Sequence, residues 1–591
     1  MSTIPAPTSG VVTAVQVQPG QTVSAGQVLL SVELMKMVSE VKASSAGQIS
    51  RINVAVGTMV QQGDGLIEFD ERLAATEPDA RQITADETPA AIEELRQRRR
   101  AISDDGRADR VQKRHAAGGR TARENLAHLL DEGSFSEMGA HALAAQRSKF
   151  DRDDLIDRSA ADGVITGTGT INDIPVAVAV VDYTVMAGTQ GFFHHKKIDR
   201  IVETAMRHKL PLILYPEGGG GRPNDVDAQG VSLAGLEVSS FFALAALRGK
   251  VPLIALVHGF CFAGSAAFAA VADVIVATQN ASIGMGGPAM IEGGGLGRHA
   301  PQDVGPAKMH AELGTIDCLV ADEPEGTELV RQLVAMLSGA RAQPQAPQST
   351  AINELMPLDT RTVFASMDIL ARVFDHDSIL PLKDAWANNL RIGFARLDGR
   401  PVGFLASDCA HLGAAIDGHA AAKAAFLFRL CERHRLPVVA FIDTPGFMVG
   451  PEAEATGQVG PIGDLFVAAA EFRQPLISVV LRRAYGLGAM AMAGGSLHAS
   501  SLTLSWPSGE FGAMGLEGAV RLGMRDKLAA MPHPDMREAA VQRAVADMKE
   551  SGKALSAAAL FEFDDVIEPD ETRERLIKAL AHFAANSSTS R

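Results

Sequence analysis

The chain has 591 residues, about four times the ~150-residue scale of a single domain, so one hydrophobic core is excluded. Hydrophobic residues make up 46% and charged residues 21%, which excludes a mainly disordered chain; 55 basic against 70 acidic residues, a net charge of −15, argue against a nucleic-acid binder with a broad basic surface. Glycine is in excess, 57 residues against a usual ~7%, and without a three-residue period, so the surplus belongs to turns and close backbone approaches.

The start, MSTIPAPTSG, has no basic stretch ahead of an apolar one, so no signal peptide is expected there. Residues 1–70 alternate valine-rich stretches with turn residues and predict many short strands. A shift of 37 residues places Gly10 on Gly47, Val12 on Ile49, Val15 on Ile52, Val17 on Val54, Gly20 on Gly57, Val23 on Val60, Gly26 on Gly63 and Leu29 on Leu66. Eight matches at one offset predict a flattened barrel of two similar strand sets about a pseudo-twofold axis. Between the sets lies Glu33-Leu34-Met35-Lys36-Met37, which puts a flexible lysine at a hairpin tip, open to covalent modification. The segment resembles the biotinyl domains of biotin-dependent carboxylases, whose Met-Lys-Met turn carries the cofactor. That resemblance implies covalent biotin on Lys36 and a biotin protein ligase as partner. Leu34 stands where the family usually has Ala or Ser.

Residues 71–94 form a polar, acidic stretch without aromatics and read as a flexible linker, long enough for a tethered domain to visit more than one site. Charged and amphipathic helical patterns follow at EELRQRRRAI and TARENLAHLL, with Thr121 and Glu124 as a capping box.

From about residue 160 the pattern alternates apolar strand, turn and helix, which predicts α/β layering. Here the chain repeats at an offset of 226: Gly167 falls on Gly393, Pro175 on Pro401, Lys197 on Lys423, Leu210 on Leu436, Pro211 on Pro437, Glu217 on Asp443 and Gly220 on Gly446. After each copy a second strand and a small-residue helix start recur, in VPLIALVHGFCFAGSAA and QPLISVVLRRAYGLGAMA. Two homologous domains are expected, at 95–345 and 346–591, joined through the Gln/Pro/Ala stretch Ala340–Thr350. The run Glu217-Gly218-Gly219-Gly220-Gly221-Arg222 exposes successive backbone N–H groups at a strand end. Gly486-Leu487-Gly488-Ala489 offers small residues at a helix N-terminus. Both settings favour an enolate or carboxylate oxygen.

RVQKRHAAGGRTARENLAHLLDEGSFSEMG, DGVITGTGTINDIPVAV, PVVAFIDTPGF, LRRAYGLGAMAM and SWPSGEFGAMGLEGAV together resemble the acyl-CoA carboxylase carboxyltransferase family. The resemblance implies two crotonase-like domains after the all-β biotinyl barrel, an acyl-CoA substrate, and carboxyl transfer from carboxylated biotin to the acyl α-carbon. The biotin ureido anion left by loss of carbon dioxide takes the α-proton, so no side-chain base is required. By position, the acyl-CoA oxyanion hole falls on the amides of Gly219 and Gly220 and the biotin hole on those of Leu487 and Gly488. Met490 falls on a position linked to acyl preference. An oligomer, often a hexamer built as a trimer of dimers, is implied, with sites between one chain's N-domain and another's C-domain. So are a separate ATP-dependent biotin carboxylase subunit, since no P-loop is present, and a cytoplasmic location.

The family commonly reads Asp-Ser-Gly-Gly-Ala-Arg where this chain has EGGGGR, and Gly-Gly-Ala where it has Gly-Leu-Gly-Ala. GGPAMIEGGGLG (286–297) also departs from the family wording. Two alternatives use the same motifs: an ATP-independent transcarboxylase or decarboxylase, and a non-catalytic biotin carrier scaffold. Elsewhere, Cys261, Cys318, Cys409 and Cys431 are too far apart for a C-x-x-C site. His194, His195 and His208 read as surface or core histidines rather than metal ligands. Gly284 to Gly287 is not a dinucleotide fingerprint. Lys196 and Lys197 are as compatible with CoA phosphates as with a solvated face. Phe241–Ala277 is broken by charges and predicts no membrane span.

Overall fold

The computed structural model describes residues 2–71, 89–223, 225–228, 236–357 and 362–587. The chain divides into two units, residues 1–93 and 94–591. Most of the expected linker, residues 72–88, lies outside the described residues.

The small unit is built from β1 (Ser2–Pro5), β2 (Gly10–Val15), β3 (Thr22–Val23), β4 (Val28–Leu34), β5 (Met37–Lys42), β6 (Gly47–Ile52), β7 (Met59–Val60) and β8 (Gly65–Asp70). They form two four-stranded antiparallel sheets, ordered β1-β8-β6-β3 and β5-β4-β2-β7. A shift of 37 residues turns the first order into the second, so the repeat operator exchanges the two sheets. Irregularities recur with it: the β2–β4 register shifts between Val12 and Ala14, and the β6–β8 register between Ile49 and Arg51. A β-carbon on Gly10 would lie 2.4 Å from the Glu33 carbonyl oxygen, and one on Gly47 2.8 Å from that of Asp70. Two strands can approach this closely only where both copies keep glycine. Val12, Leu29, Ile49, Leu66 and Phe69 are buried between the sheets, each contributing roughly 1.5–3 kcal/mol.

The large unit holds a seven-stranded and an eight-stranded mixed sheet. Strands Val164–Ile171 and Ile174–Val181, helix Phe192–His208 and strand Leu212–Tyr215 correspond, at the 226-residue shift, to Leu390–Leu397, Arg400–Ser407, Gly418–His434 and the first residues of Val438–Thr444. The left-handed residues closing the two helices, Lys209 and Arg435, coincide as well. Beyond the fourth element the shift falls to 223: Leu212 pairs with Leu253, and its counterpart Val438 with Leu476. The three-residue deletion sits in the connection, where the backbone tolerates it.

One apolar core runs through both sheets, and Asp317 of the first half binds Lys383 of the second at 2.7 Å, so the halves form one unit. The expected join, Ala340–Thr350, is extended coil anchored on the second half: Ala342 N donates to Gly399 O, and Arg396 to Ala340 O. The Thr121–Glu124 capping box is present. Among the described residues no helix is long and apolar enough to cross a membrane.

Candidate active site

Lys36 occupies the turn between β4 and β5. Leu34 pairs with Met37, leaving a two-residue loop in which Met35 and Lys36 both have positive φ, 51° and 67°. Such a turn normally takes Asn-Gly, because side chains crowd the backbone there. Here two bulky residues accept that strain, and Met35 is 91% and Met37 74% exposed. Local cost at an exposed tip with no packing return marks a site kept for something other than stability. Lys36 is itself exposed, beside a shallow concavity of about 1060 Å³ lined in part by Gly10, Met35 and Met59. An exposed amine on a strained, apolar-flanked tip fits a covalently attached biotin.

In the first half, strand Leu212–Tyr215 runs into the glycine loop. Gln190 N donates to Gly220 O at 2.7 Å, and Arg222 N to Gln190 O at 2.8 Å. Arg222, the last residue of EGGGGR, ties the loop down through Asp162 at 2.5 Å and the Thr189 carbonyl at 2.8 Å. Among the described residues, none accepts a hydrogen bond from the Gly219 or Gly220 amide. Gly220 has φ 88°, and a β-carbon there would lie 2.7 Å from the Ala263 methyl and 3.2 Å from the Gly264 amide nitrogen. The loop therefore rests on the start of helix Gly264–Ala270.

The second half repeats this joint. Ile416 N donates to Gly446 O and Met448 N to Ile416 O. Helix Gly486–Met492 starts at the end of strand Leu476–Tyr485. A β-carbon on Gly488 would lie 2.8 Å from both the Cα and the carbonyl carbon of Gly446. The Leu487 and Gly488 amides fall in the first helical turn, which has no preceding carbonyl to bind. The sequence places one hole on a loop and the other on a helix start; the structure makes each half a loop pressed on a helix start. Gly264 thereby joins the site with Gly446, which the 226 offset already sets against Gly220, and the drop to 223 is the signal that could have aligned Gly264 with Leu487. Met490 lies one turn beyond Leu487 on the same partly exposed face of the helix.

The acid ahead of each loop is buried, yet differently held. Asp443 receives Arg482 Nη2 at 2.7 Å and Arg483 Nε at 2.8 Å, both from the adjacent strand. Burial works against its carboxylate, but Arg483 and Arg482 hold it below the ordinary carboxylate range. Glu217 is gripped by Arg114, from helix Ala108–Ala116, at 2.8 and 3.1 Å. At the 223 shift Arg482 falls on Gly259, where a β-carbon would lie 2.1 Å from Glu217 Oε1. The first half thus has the longer acid, a glycine making room for it, and an arginine brought in from another helix. Around it, His258 lies 3.5 Å from Glu323 and 3.9 Å from Glu217. Burial opposes the imidazolium, but the two carboxylates raise the His258 pKa above its ordinary value. Burial likewise opposes the Glu323 carboxylate; His258, Asn125 and the Arg120 amide overcome it and bring its pKa to about 2.

Lys197 is buried, its ammonium donating to the Ala161 and Val164 carbonyls, so it is closed to CoA phosphates; Lys196 instead lies over the Phe192 ring. His194 is fully buried, and burial drives its pKa well below the ordinary value. No group of metal-ligating residues occurs among the described residues.

A biotinyl carrier on a duplicated α/β body with paired glycine–helix joints defines the class of biotin-dependent carboxyltransferases. The family described as "Carboxyl transferase domain" matches residues 113–590, and "Biotin-requiring enzyme" matches residues 2–69. The chain belongs to the carboxyl transferase family. It is 32% identical over 508 residues to the methylmalonyl-CoA carboxyltransferase 12S subunit of Propionibacterium freudenreichii subsp. shermanii, covering 84% of this chain and 95% of that protein. It is 30% identical over 495 residues to the propionyl-CoA carboxylase beta chain of Saccharopolyspora erythraea, covering 80% and 89%. Among solved structures, a single-chain, multi-domain long-chain acyl-CoA carboxylase superposes with TM-score 0.79 at 41% identity. That match takes in 98% of this chain but 56% of the other, so the chain spans about half its length. A transcarboxylase 12S hexamer structure, with methylmalonyl-CoA and methylmalonic acid bound, gives TM-score 0.76 at 31% identity, covering 84% of this chain and 96% of that one.

Proposed function

We propose that the chain transfers a carboxyl group from biotin carried on its own Lys36 to the α-carbon of an acyl-CoA, as one component of an acyl-CoA carboxylase. The observation that carries this reading is the union, in one chain, of the exposed Met35-Lys36-Met37 turn with two glycine–helix joints. Biotin attached to Lys36 supplies the activated carboxyl group. The Gly219 and Gly220 amides, free of described acceptors, bind the thioester oxygen and stabilise the enolate charge that develops there. The Leu487 and Gly488 amides hold the biotin carbonyl oxygen, and Met490 lines the acyl side. Homologous domains at 95–345 and 346–591 bring one joint each. The hexamer of the transcarboxylase 12S relative supports a hexamer here, with an acyl-CoA bound in each site. A separate ATP-dependent biotin carboxylase subunit loads the carrier and a biotin protein ligase modifies it, in the cytoplasm. The long-chain carboxylase neighbour, at 41% identity, favours a larger acyl group than the propionyl of the beta-chain relatives.

Intact mass after co-expression with a biotin ligase must show one biotin, absent in Lys36→Arg. Labelled bicarbonate must then enter acyl-CoA only with ATP and a biotin carboxylase present. A panel from acetyl- to palmitoyl-CoA reads the substrate. Similarity to the methylmalonyl-CoA carboxyltransferase favours one alternative, transfer between substrates without ATP. Label passing from methylmalonyl-CoA to a second acceptor with no carboxylase present would establish it.

A further inference from the structure

The Gln190 side chain sits where the first glycine loop meets the helix start. Its backbone belongs to the ladder that holds the loop, with its N–H on Gly220 O and its carbonyl accepting from Arg222. Its carboxamide reaches over Gly264, where a β-carbon would lie 2.2 Å from Gln190 Oε1 and 3.3 Å from the Phe241 ring. Gln190 is 3% exposed, and its Nε2 has no hydrogen-bond partner among the described residues. A buried amide donor without a partner costs about 1–3 kcal/mol of stability.

The second half supplies an internal control. Ile416 occupies the same ladder position with the same two backbone bonds, and Leu487 stands where the first half has Gly264. The backbone therefore asks for no amide here. The first half has exchanged an isoleucine–leucine pair for a glutamine–glycine pair, leaving a donor without a described partner on the residue whose backbone holds the Gly220 loop.

We propose that Gln190 Nε2 is a third hydrogen-bond donor to the acyl-CoA thioester oxygen, acting with the amides of Gly219 and Gly220. The proposal rests on the reading of that loop as the acyl-CoA site. A neutral carboxamide suits the role, since it strengthens its bond as charge grows on the oxygen without attracting a counter-ion beforehand.

The test uses the biotinylated full chain with a biotin carboxylase and its best acyl-CoA. Gln190→Ile, the second half's own residue, should lower kcat on the order of a hundredfold with little change in KM. Its melting temperature should stay the same or rise by about 1–2 °C, because a buried unsatisfied group is removed. Gln190→Glu should be the poorer variant at pH 8 and recover turnover as the pH falls and its carboxyl gains a proton to donate. Unchanged kcat in Gln190→Ile would overturn the proposal, as would parallel losses of kcat and melting temperature in both variants without the pH recovery. Gly220→Ala separates the two readings. If it cripples transfer while Gln190→Ile does not, only the glutamine assignment fails; if it leaves transfer intact, the loop assignment itself fails.

Discussion

The two halves of the large unit solve one problem with different parts. Each must hold a glycine loop against a helix start at the end of a buried strand, and each fixes the loop with a buried acid. The second half does it locally, with Asp443 and two arginines of the neighbouring strand. The first reaches across 103 residues for Arg114, and needs Glu217 and Gly259 to meet it. Backbone geometry has survived duplication while the charge that stabilises it has moved. The loop shape, rather than any one ion pair, is what both halves preserve.

The comparison breaks most severely at the loops. Gly220→Val forces a left-handed residue and a clash with Ala263, and Gly488→Val drives a side chain into Gly446. Each is expected to lower carboxyl transfer by at least ~100-fold, while circular dichroism stays that of a folded chain. If only one does so, the joints are not equivalent in function.

A step smaller, Arg114→Ala leaves the buried Glu217 without its bidentate partner and with His258 3.9 Å away, and thermal denaturation should register a loss of about 3 kcal/mol. Transplanting the second half's solution, by adding Glu217→Asp and Gly259→Arg to Arg114→Ala, should restore part of that stability. No recovery would mean that the surroundings of the pair, not the pair, carry the difference.

The pH response separates the halves as well. His258, with its pKa raised, contributes stability that is complete below its ordinary range and lost as pH rises through its folded value. Glu323, brought to about 2 from 4.5, contributes stability present above the ordinary value and lost as pH falls toward 2. His258→Leu, which installs the Leu481 found at that place in the second half, should flatten the alkaline side of a melting-temperature profile between pH 6 and 9 (values of roughly ordinary histidine titration and above). A profile as steep as that of the parent chain would remove His258 from the account.

The smallest effect lies at the positive-φ residues that lead into the two helices, Ala263 and, at the 223 shift, Gly486. Ala263 has φ 51° and ψ −118°, a glycine-like conformation, and Gly486 has φ 57°. Ala263→Gly should raise stability by about 1 kcal/mol, and Gly486→Ala should lower it by a similar or larger amount, since its methyl would lie 2.8 Å from Ala513 O. Chemical denaturation distinguishes the two signs.

Much of this was legible in the residues themselves. The 37-residue repeat predicts the exchange of β1-β8-β6-β3 with β5-β4-β2-β7, because glycines at turns and close approaches recur wherever the backbone does. Lys36 stands out as a lysine between repeats, and the loops as glycines after apolar strands. The offset of 226 sets Gly446 against Gly220 but could not find Gly264, because the deletion to 223 hides its match with Leu487. Lys197 read equally as a phosphate ligand or a solvated lysine, and is neither: its amine closes two carbonyls inside the fold.

The sequence by itself determined the Met35-Lys36 turn, the duplications and the glycines at the two loop–helix joints. These depend on local conformation, which glycine spacing and strand periodicity encode directly. Only the tertiary structure decided that Arg114 serves Glu217, that Gly259 answers Arg482, and that the Gln190 amide has no partner among the described residues. Those facts are set by which side chains the topology brings within a few ångströms, and electrostatic pairing at that range leaves no periodic trace along the chain.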